Sequence, residues 1–240
     1  ALDLSDADAA QLLATAKPLI EELGVKVVAP TPRRWYLTGA ALGKLAGASP
    51  LRASGRSIEI WLPHDAQSGQ RSRIWMKLQN EVQMSWFEHP VNEAREARGL
   101  PAVNSIWLHA QGMAQPVRSP FVRVLSDAVA TRGLALAAGV EAAGASASFQ
   151  ALGPLGAGQT LVELGPFAAP FIAQDWAAWQ DALGGLERDW FAPVLEALET
   201  GRLGALALTL AGDTGSVTLT ATRGDLRKFW RRRVLASLFE

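Results

Sequence analysis

Between Ser72 and Glu88, apolar residues recur at Trp75, Leu78, Val82 and Trp86, a stripe at helical spacing that His89-Pro90 then stops. Proline lacks the amide hydrogen that a helix interior needs and disfavours α geometry in the residue before it, so this helix has a sharp end. A helix with one apolar face must bury that face, and the expectation is that it lies against a sheet. Asn80 and Gln83 fall off the stripe and read as its solvated side. The stretch that follows, Glu88 to Gly112, is where special residue types crowd together. Asn92 is placed to cap a short helix, Arg95 and Arg98 stand one turn apart on one face, and Gly99 is placed to end the helix in the left-handed conformation. After Leu100-Pro101, Asn104-Ser105 lead into Ile106-Trp107-Leu108, a short apolar run that reads as a buried strand.

On either side of that stretch the chain alternates between helical and extended patterns. Ser5-Asp6 can cap a helix to about Leu23, with Pro18 inside it and Gly24 as its stop. Val25–Val28 and Trp35–Leu37 read as strands across the turn Pro30–Arg33. Residues 39–69 are rich in small residues, glycine and proline, with one short element predicted over Ile58–Leu62 and a solvated loop pair at His64-Asp65. Phe121–Leu125 predicts a strand, about Asp127 to Ala138 a helix ended by Gly139, and Thr160–Leu164 another buried strand; that order argues for a crossover and a parallel sheet. Gly153–Gly158 lacks the lysine and hydroxyl of a phosphate-cradling loop and reads as an ordinary glycine-rich connection. Gln174 to Thr200 is a long helical region with Trp176, Trp179, Leu183, Leu186, Trp190, Val194 and Leu198 facing inward, broken or bent at Gly184-Gly185 and Pro193. Leu206–Leu210 and Val217–Ala221 alternate around Gly212–Gly215 as a hairpin, and Asp225–Arg233 reads as a short basic helix with aromatic residues interleaved. The economical reading is a single α/β domain over residues 1–240, a mainly parallel sheet flanked by helices, with an irregular α+β part over residues 1–70.

Composition excludes several classes. Lys and Arg (23) balance Asp and Glu (23), so there is no general electrostatic reason to expect nucleic acid or a membrane surface as partner. With no cysteine there is no disulfide, thiolate chemistry or cysteine-bound metal. No apolar run approaches the roughly 20 residues that span a bilayer, and the start shows no basic, then apolar, signal-peptide pattern; the expected location is cytoplasmic. No serine sits in a GxSxG elbow and there is no HExxH. The tryptophans at stripe positions read as core.

His89-Pro90-Val91-Asn92, Arg95, Arg98-Gly99, Pro101, Asn104-Ser105-Ile106-Trp107 and Gly112 resemble the signature of archaeal-type cofactor-independent phosphoglycerate mutases. They resemble more closely the bacterial regulatory proteins of the Rpf E type. The resemblance runs on through Gly133-Leu134-Ala135, Ala138-Gly139-Val140, Leu186–Pro193 and Phe229–Arg232, and departs at His109 and Ala110, where the family shows tryptophan and glycine. It implies an alkaline-phosphatase-like α/β fold for residues 71–240. In the mutases that fold carries two divalent metals beside a serine nucleophile, which need clustered carboxylates and histidines. The mutases place such ligands after the strand matching Leu161–Leu164, where this chain reads VELGPFAAPFIAQD, with Ala168 and Ile172 at ligand positions. No histidine follows residue 109. The resemblance therefore implies a degenerate scaffold with no metal, no cofactor and no mutase activity, a regulatory protein or pseudoenzyme whose mutase label is inherited. The alternatives are a metal-dependent phosphomutase or phosphohydrolase with substituted ligands, and a protein-interaction scaffold.

The candidate site is a small-anion site formed by Asn92, Arg95, Arg98, Asn104 and Ser105, for a phosphorylated or carboxylate metabolite. Arginine presents a planar fork of donors suited to such groups, and two forks one turn apart can address one anion. The alternative is that these side chains tie the turn to its surroundings. His89 and His109 are each either a hydrogen-bonded structural histidine or a general base. The C-terminal basic helix is the candidate contact for a protein partner.

Overall fold

The computed structural model of the chain describes residues 2–212 and 215–228. The chain divides into two compact units, Ala1–Met113 and Ala114–Glu240.

In the first unit, α1 (Asp6–Glu22) is capped by the Ser5 side chain, which accepts from the Asp8 amide, and it continues through Pro18. Strands β1 (Lys26–Thr31) and β2 (Arg34–Thr38) form an antiparallel hairpin whose register slips between Val28 and Thr31. The irregular stretch holds 3₁₀ turns at Ala40–Leu42 and Ile58–Trp61, β3 (Leu45–Ala46), α2 (Pro50–Ala53) and β4 (His64–Asp65), which pairs with β3. His64 and Asp65 are thus a strand rather than a loop. The Asp65 carboxylate accepts from the Ser68 amide and hydroxyl and from the Gln67 amide, and these bonds hold its pKa below the ordinary value.

The helix with the stripe of four apolar residues is α3 (Arg73–Phe87), capped by Ser72, with Trp75, Leu78, Val82 and Trp86 buried. It packs chiefly on α1, not on a sheet alone. Leu12, Ala16 and Ile20 of α1 and Val27 of the hairpin share its core; Trp35 meets Trp86 edge to face at 6.2 Å, and the Trp86 indole donates to the Leu12 carbonyl. Next comes α4 (Pro90–Glu96). Residues 100–119 then carry no helix or strand. The strand expected at Ile106–Leu108 is therefore absent: Ile106 and Leu108 pack on the core and the Trp107 indole donates to the Ala48 carbonyl, so their apolar character is satisfied without a backbone ladder.

In the second unit, β5 (Phe121–Leu125), α5 (Val129–Ala137), β6 (Glu141–Ala143) and β7 (Gln159–Val162) build a parallel three-stranded sheet in the order β6-β5-β7. The parallel sheet is present but small, and the other sheets are antiparallel pairs. After β7 come α6 (Ala168–Ala173), α7 (Trp176–Leu186), a π-helical turn over Glu187–Phe191, and α8 (Ala192–Thr200). Gly184 and Gly185 stay inside α7, and of the two expected places only Pro193 carries an irregularity, the π turn just ahead of it. Pro193 accounts for it: proline has no amide hydrogen and its ring clashes with the carbonyl four residues back, here Asp189. That carbonyl is turned to the Phe149 amide instead, 2.9 Å away. Leu186, Trp190, Val194 and Leu198 are buried as expected, whereas Trp176 (57% exposed) and Leu183 (43% exposed) are not. Trp176 packs edge-on against Phe171. The hairpin of β8 (Ala205–Ala211) and β9 (Ser216–Thr222) has the expected alternation, and α9 (Arg223–Leu226) follows it. The aromatic and basic residues Phe229–Arg233 lie outside the described residues. No helix among those described is long and apolar enough to cross a membrane.

Candidate functional site

Two signature residues of the first unit, Asn92 and Arg95, face inward. Asn92 is 1% exposed; its side-chain amide donates to the carbonyls of Trp86 (2.7 Å) and Val103 (2.9 Å), and its side-chain oxygen accepts from the Val103 amide (2.8 Å). Arg95, also 1% exposed, donates from Nε to the Pro101 carbonyl and from one terminal nitrogen to the Asp3 carbonyl; the other has no partner among the described residues. These side chains replace the missing ladder for residues 100–103, a segment without secondary structure. Asn92 does not cap α4: that place is taken by His89, whose Nδ1 accepts from the Val91 amide while Nε2 lies 3.1 Å from the Thr15 hydroxyl. Nδ1 is thereby an acceptor, and the ring is positioned as a structural element between α1 and α4. Arg98 does not share a face with Arg95, because α4 ends at Glu96; it is exposed, with Nε on the Ala94 carbonyl. Asn104 is exposed, and Ser105 accepts from the buried Gln79 amide. His109 is exposed. Ala110 has φ 56°, the left-handed region that glycine enters without strain.

A cleft absent from the sequence reading lies in the second unit. It is about 510 Å³ in volume and is lined by Ser126, Asp127, Glu163, Gly165, Asp189 and Trp190 among others. Ser126 and Asp127 leave the end of β5, and Glu163 leaves the end of β7. The Ser126 amide extends the β6 ladder by donating to the Ala143 carbonyl, and the Glu163 amide extends the β7 ladder by donating to Leu125. Ser126, fully buried, donates from its hydroxyl to Glu163 Oε2 at 2.6 Å and accepts from the Ala128 amide. Ser126 thus fixes one carboxylate oxygen of Glu163, which is itself exposed and lines the cleft. Asp127 accepts from the Ala145 amide, bracing the loop after β6. Asp189 is held by both oxygens on the Arg188 guanidinium, which the ion pair keeps above its ordinary pKa. The π turn that Pro193 imposes sets Asp189 and Trp190 at this rim.

In an open parallel sheet, a crevice forms at the carboxyl ends of the strands where the strand order reverses. With the order β6-β5-β7, the chain goes from β5 to one neighbour and returns to the other, so the reversal lies between β5 and β7. That is where Ser126 and Glu163 meet. None of the residues lining the cleft is lysine, arginine or histidine. Among the described residues no three His, Asp or Glu side chains are grouped to hold a metal ion. Ala168 and Ile172 lie on α6 directly after the cleft segment. The signal in the sequence was the polar residue following each apolar run, Leu125-Ser126-Asp127 and Val162-Glu163, in a strand-helix-strand unit. Compared with known proteins, the chain matches no family model, no curated protein and no solved structure.

Proposed function

We propose that this chain is a regulatory protein that binds a small molecule without transforming it, on a scaffold similar to that of the cofactor-independent phosphoglycerate mutases, and that the cleft between the ends of β5 and β7 is its ligand site. The observation that carries this reading is the place of the cleft at the reversal of a parallel sheet, with a carboxylate oriented by a buried serine in its lining. Its size is that of ordinary small-molecule sites, about 300–1,000 Å³. Small residues, Ala128, Ala145 and Ala147, form part of the walls, and the open acceptors of Asp127 and Glu163 favour a ligand that presents hydroxyl or amine donors. A phosphorylated acid would find no cation in that lining.

The test is thermal shift of the parent protein and of Glu163→Gln with two panels at millimolar concentration. The first holds glycerol, ethanolamine and spermidine; the second holds phosphorylated three-carbon acids and citrate. Binding to the native state alone stabilises by roughly 2.7 kcal/mol at a hundredfold excess over Kd, a readily measured shift. Stabilisation of the parent by a member of the first panel, lost in Glu163→Gln, supports the site. Stabilisation by the second panel, removed by Arg98→Ala and not by Glu163→Gln, returns the ligand to the signature stretch. Measurable mutase turnover by the metal-supplemented protein would sink the non-catalytic reading.

A further inference from the structure

The β8–β9 hairpin differs from the other strand pairs of this protein in having nothing along it that discourages further pairing. Its register runs without a slip from Ala205↔Thr222 to Ala211↔Ser216. Neither strand, ALALTLA or SVTLTAT, contains a charge or a proline. Sheet edges are ordinarily protected by lysine, proline, bulges or shortness. The β1–β2 hairpin shows three of these, Lys26, Pro30 and the register slip after Val28, and β6 at one edge of the parallel sheet is three residues long and carries Glu141. Among the described residues, β8 has β9 as its only hydrogen-bonded neighbour.

We infer that the outer edge of β8 is a self-association edge, on which a second copy of this chain lays its own β8 antiparallel about a two-fold axis to make a four-stranded sheet. The ladder shows which groups would take part. The Gly212 amide donates to the Gly215 carbonyl, and hydrogen-bonded and non-hydrogen-bonded pairs alternate from there. Leu206, Leu208 and Leu210 therefore turn their amides and carbonyls to β9, and Ala205, Ala207, Thr209 and Ala211 turn theirs outward. The 2.9 Å contact between the Thr209 and Thr218 hydroxyls agrees, since side chains approach more closely in a non-hydrogen-bonded pair.

A two-fold axis at Leu208 sets Ala207 of one copy against Thr209 of the other, and Ala205 against Ala211, each pair exchanging two backbone hydrogen bonds. Because the strand is uncharged, this self-pairing opposes no like charges. Side chains keep their faces, so the half-buried leucines of both copies join into one apolar face. An edge of this length, roughly 3.4 Å per residue, gives an interface at the small end of the known range, so the expected dimer is a weak one that forms at high protein concentration.

Sedimentation equilibrium of the full chain, from about one to several hundred micromolar, a range suited to such small interfaces, is the experiment. The parent should rise from monomer towards dimer mass. A207K/T209K, which opposes like charges across the two-fold, should stay monomeric, and A207K/T209E, which opposes unlike charges in the same register, should dimerise again. T218K/T220K on the other strand should behave as the parent, and circular dichroism reports whether each variant retains its fold. A parent that is monomeric throughout, two β8 variants that behave alike, or loss of association in T218K/T220K alone would each overturn the inference.

Discussion

Each unit buries a polar group beside its functional candidates, and the two groups are used in opposite ways. Asn92 of the first unit has its side-chain oxygen and amide engaged with the main chain at Trp86 and Val103, leaving nothing for a ligand. Ser126 of the second unit is as deeply buried but spends its proton on Glu163, an exposed carboxylate with an oxygen to spare. The first arrangement substitutes side chains for secondary structure in residues 100–103. The second orients an acceptor at the edge of a cleft. Burial alone therefore does not mark a site; what separates the two is whether the bonding chain ends inside the protein or at its surface.

The largest expected effect tests the closed arrangement. Each buried group left without a partner costs roughly 1–3 kcal/mol, and Asn92→Ala strands the Val103 amide and carbonyl, whereas the Trp86 carbonyl keeps the His89 amide. Chemical denaturation should show a loss of about 2 kcal/mol or more. A change below about 0.5 kcal/mol, the usual range for a surface substitution, would mean that the Val103 amide and carbonyl have other partners and that Asn92 is free for a ligand after all.

What the sequence made legible follows the range over which each feature is encoded. α3 and its cap at Ser72 are local: a stripe of four apolar residues and a serine three residues before the amide it accepts from. The β8–β9 hairpin and the α/β character of the chain are legible for the same reason, because alternation and strand-helix-strand order are read within a few residues. Ile106–Leu108 misled because an apolar triplet specifies burial and not the neighbour a strand requires. Arg95 and Arg98 misled because their shared face depended on α4 continuing past Glu96. The Ser126–Glu163 pair is separated by 37 residues and exists through the register of β5 on β7, in which Leu125 stands opposite Val162. No local pattern carries that register, so the cleft could be suspected from topology but not located.

A smaller effect sharpens the open arrangement. Ser126→Ala removes one buried hydrogen bond to a charged group and leaves the Ala128 amide unpaired, while Glu163, being exposed, regains water; the loss should be about 1 kcal/mol. The informative readout is the pairing with Glu163→Gln. If the serine acts by orienting the carboxylate, the double variant should lose about as much ligand-induced thermal shift as Glu163→Gln alone, the non-additivity expected of residues in one network. Additive losses would place Ser126 in contact with the ligand on its own account.

The smallest expected effect comes from a polar group that is neither buried nor at the cleft. Asp225 closes a capping box at the start of α9: one oxygen accepts from the Thr222 amide and hydroxyl, and the other from Lys228 at 2.7 Å. The bond to the Lys228 ammonium, then those from Thr222, lower its pKa from the ordinary 3.8 to about 2. A carboxylate whose folded pKa is depressed contributes stability that is fully present above its unfolded pKa and is lost as pH falls through the folded one. The window therefore runs from just above 3.8 down to about 2, and nothing should change through this group at neutral pH. The carboxylate is partly open to solvent, so screening by water and salt keeps the contribution small, and the sensitive measurement is local. In a carbon-detected titration the Asp225 carboxyl should have its midpoint near 2, moving towards 3.8 when Lys228→Met removes the first of its donors. Thr222→Ala should raise it by a smaller step, since it removes only the hydroxyl and keeps the amide. A midpoint near 3.8 in the parent would mean that α9 is not capped by this residue, and the order of the two variants decides whether the ion pair or the cap governs the shift.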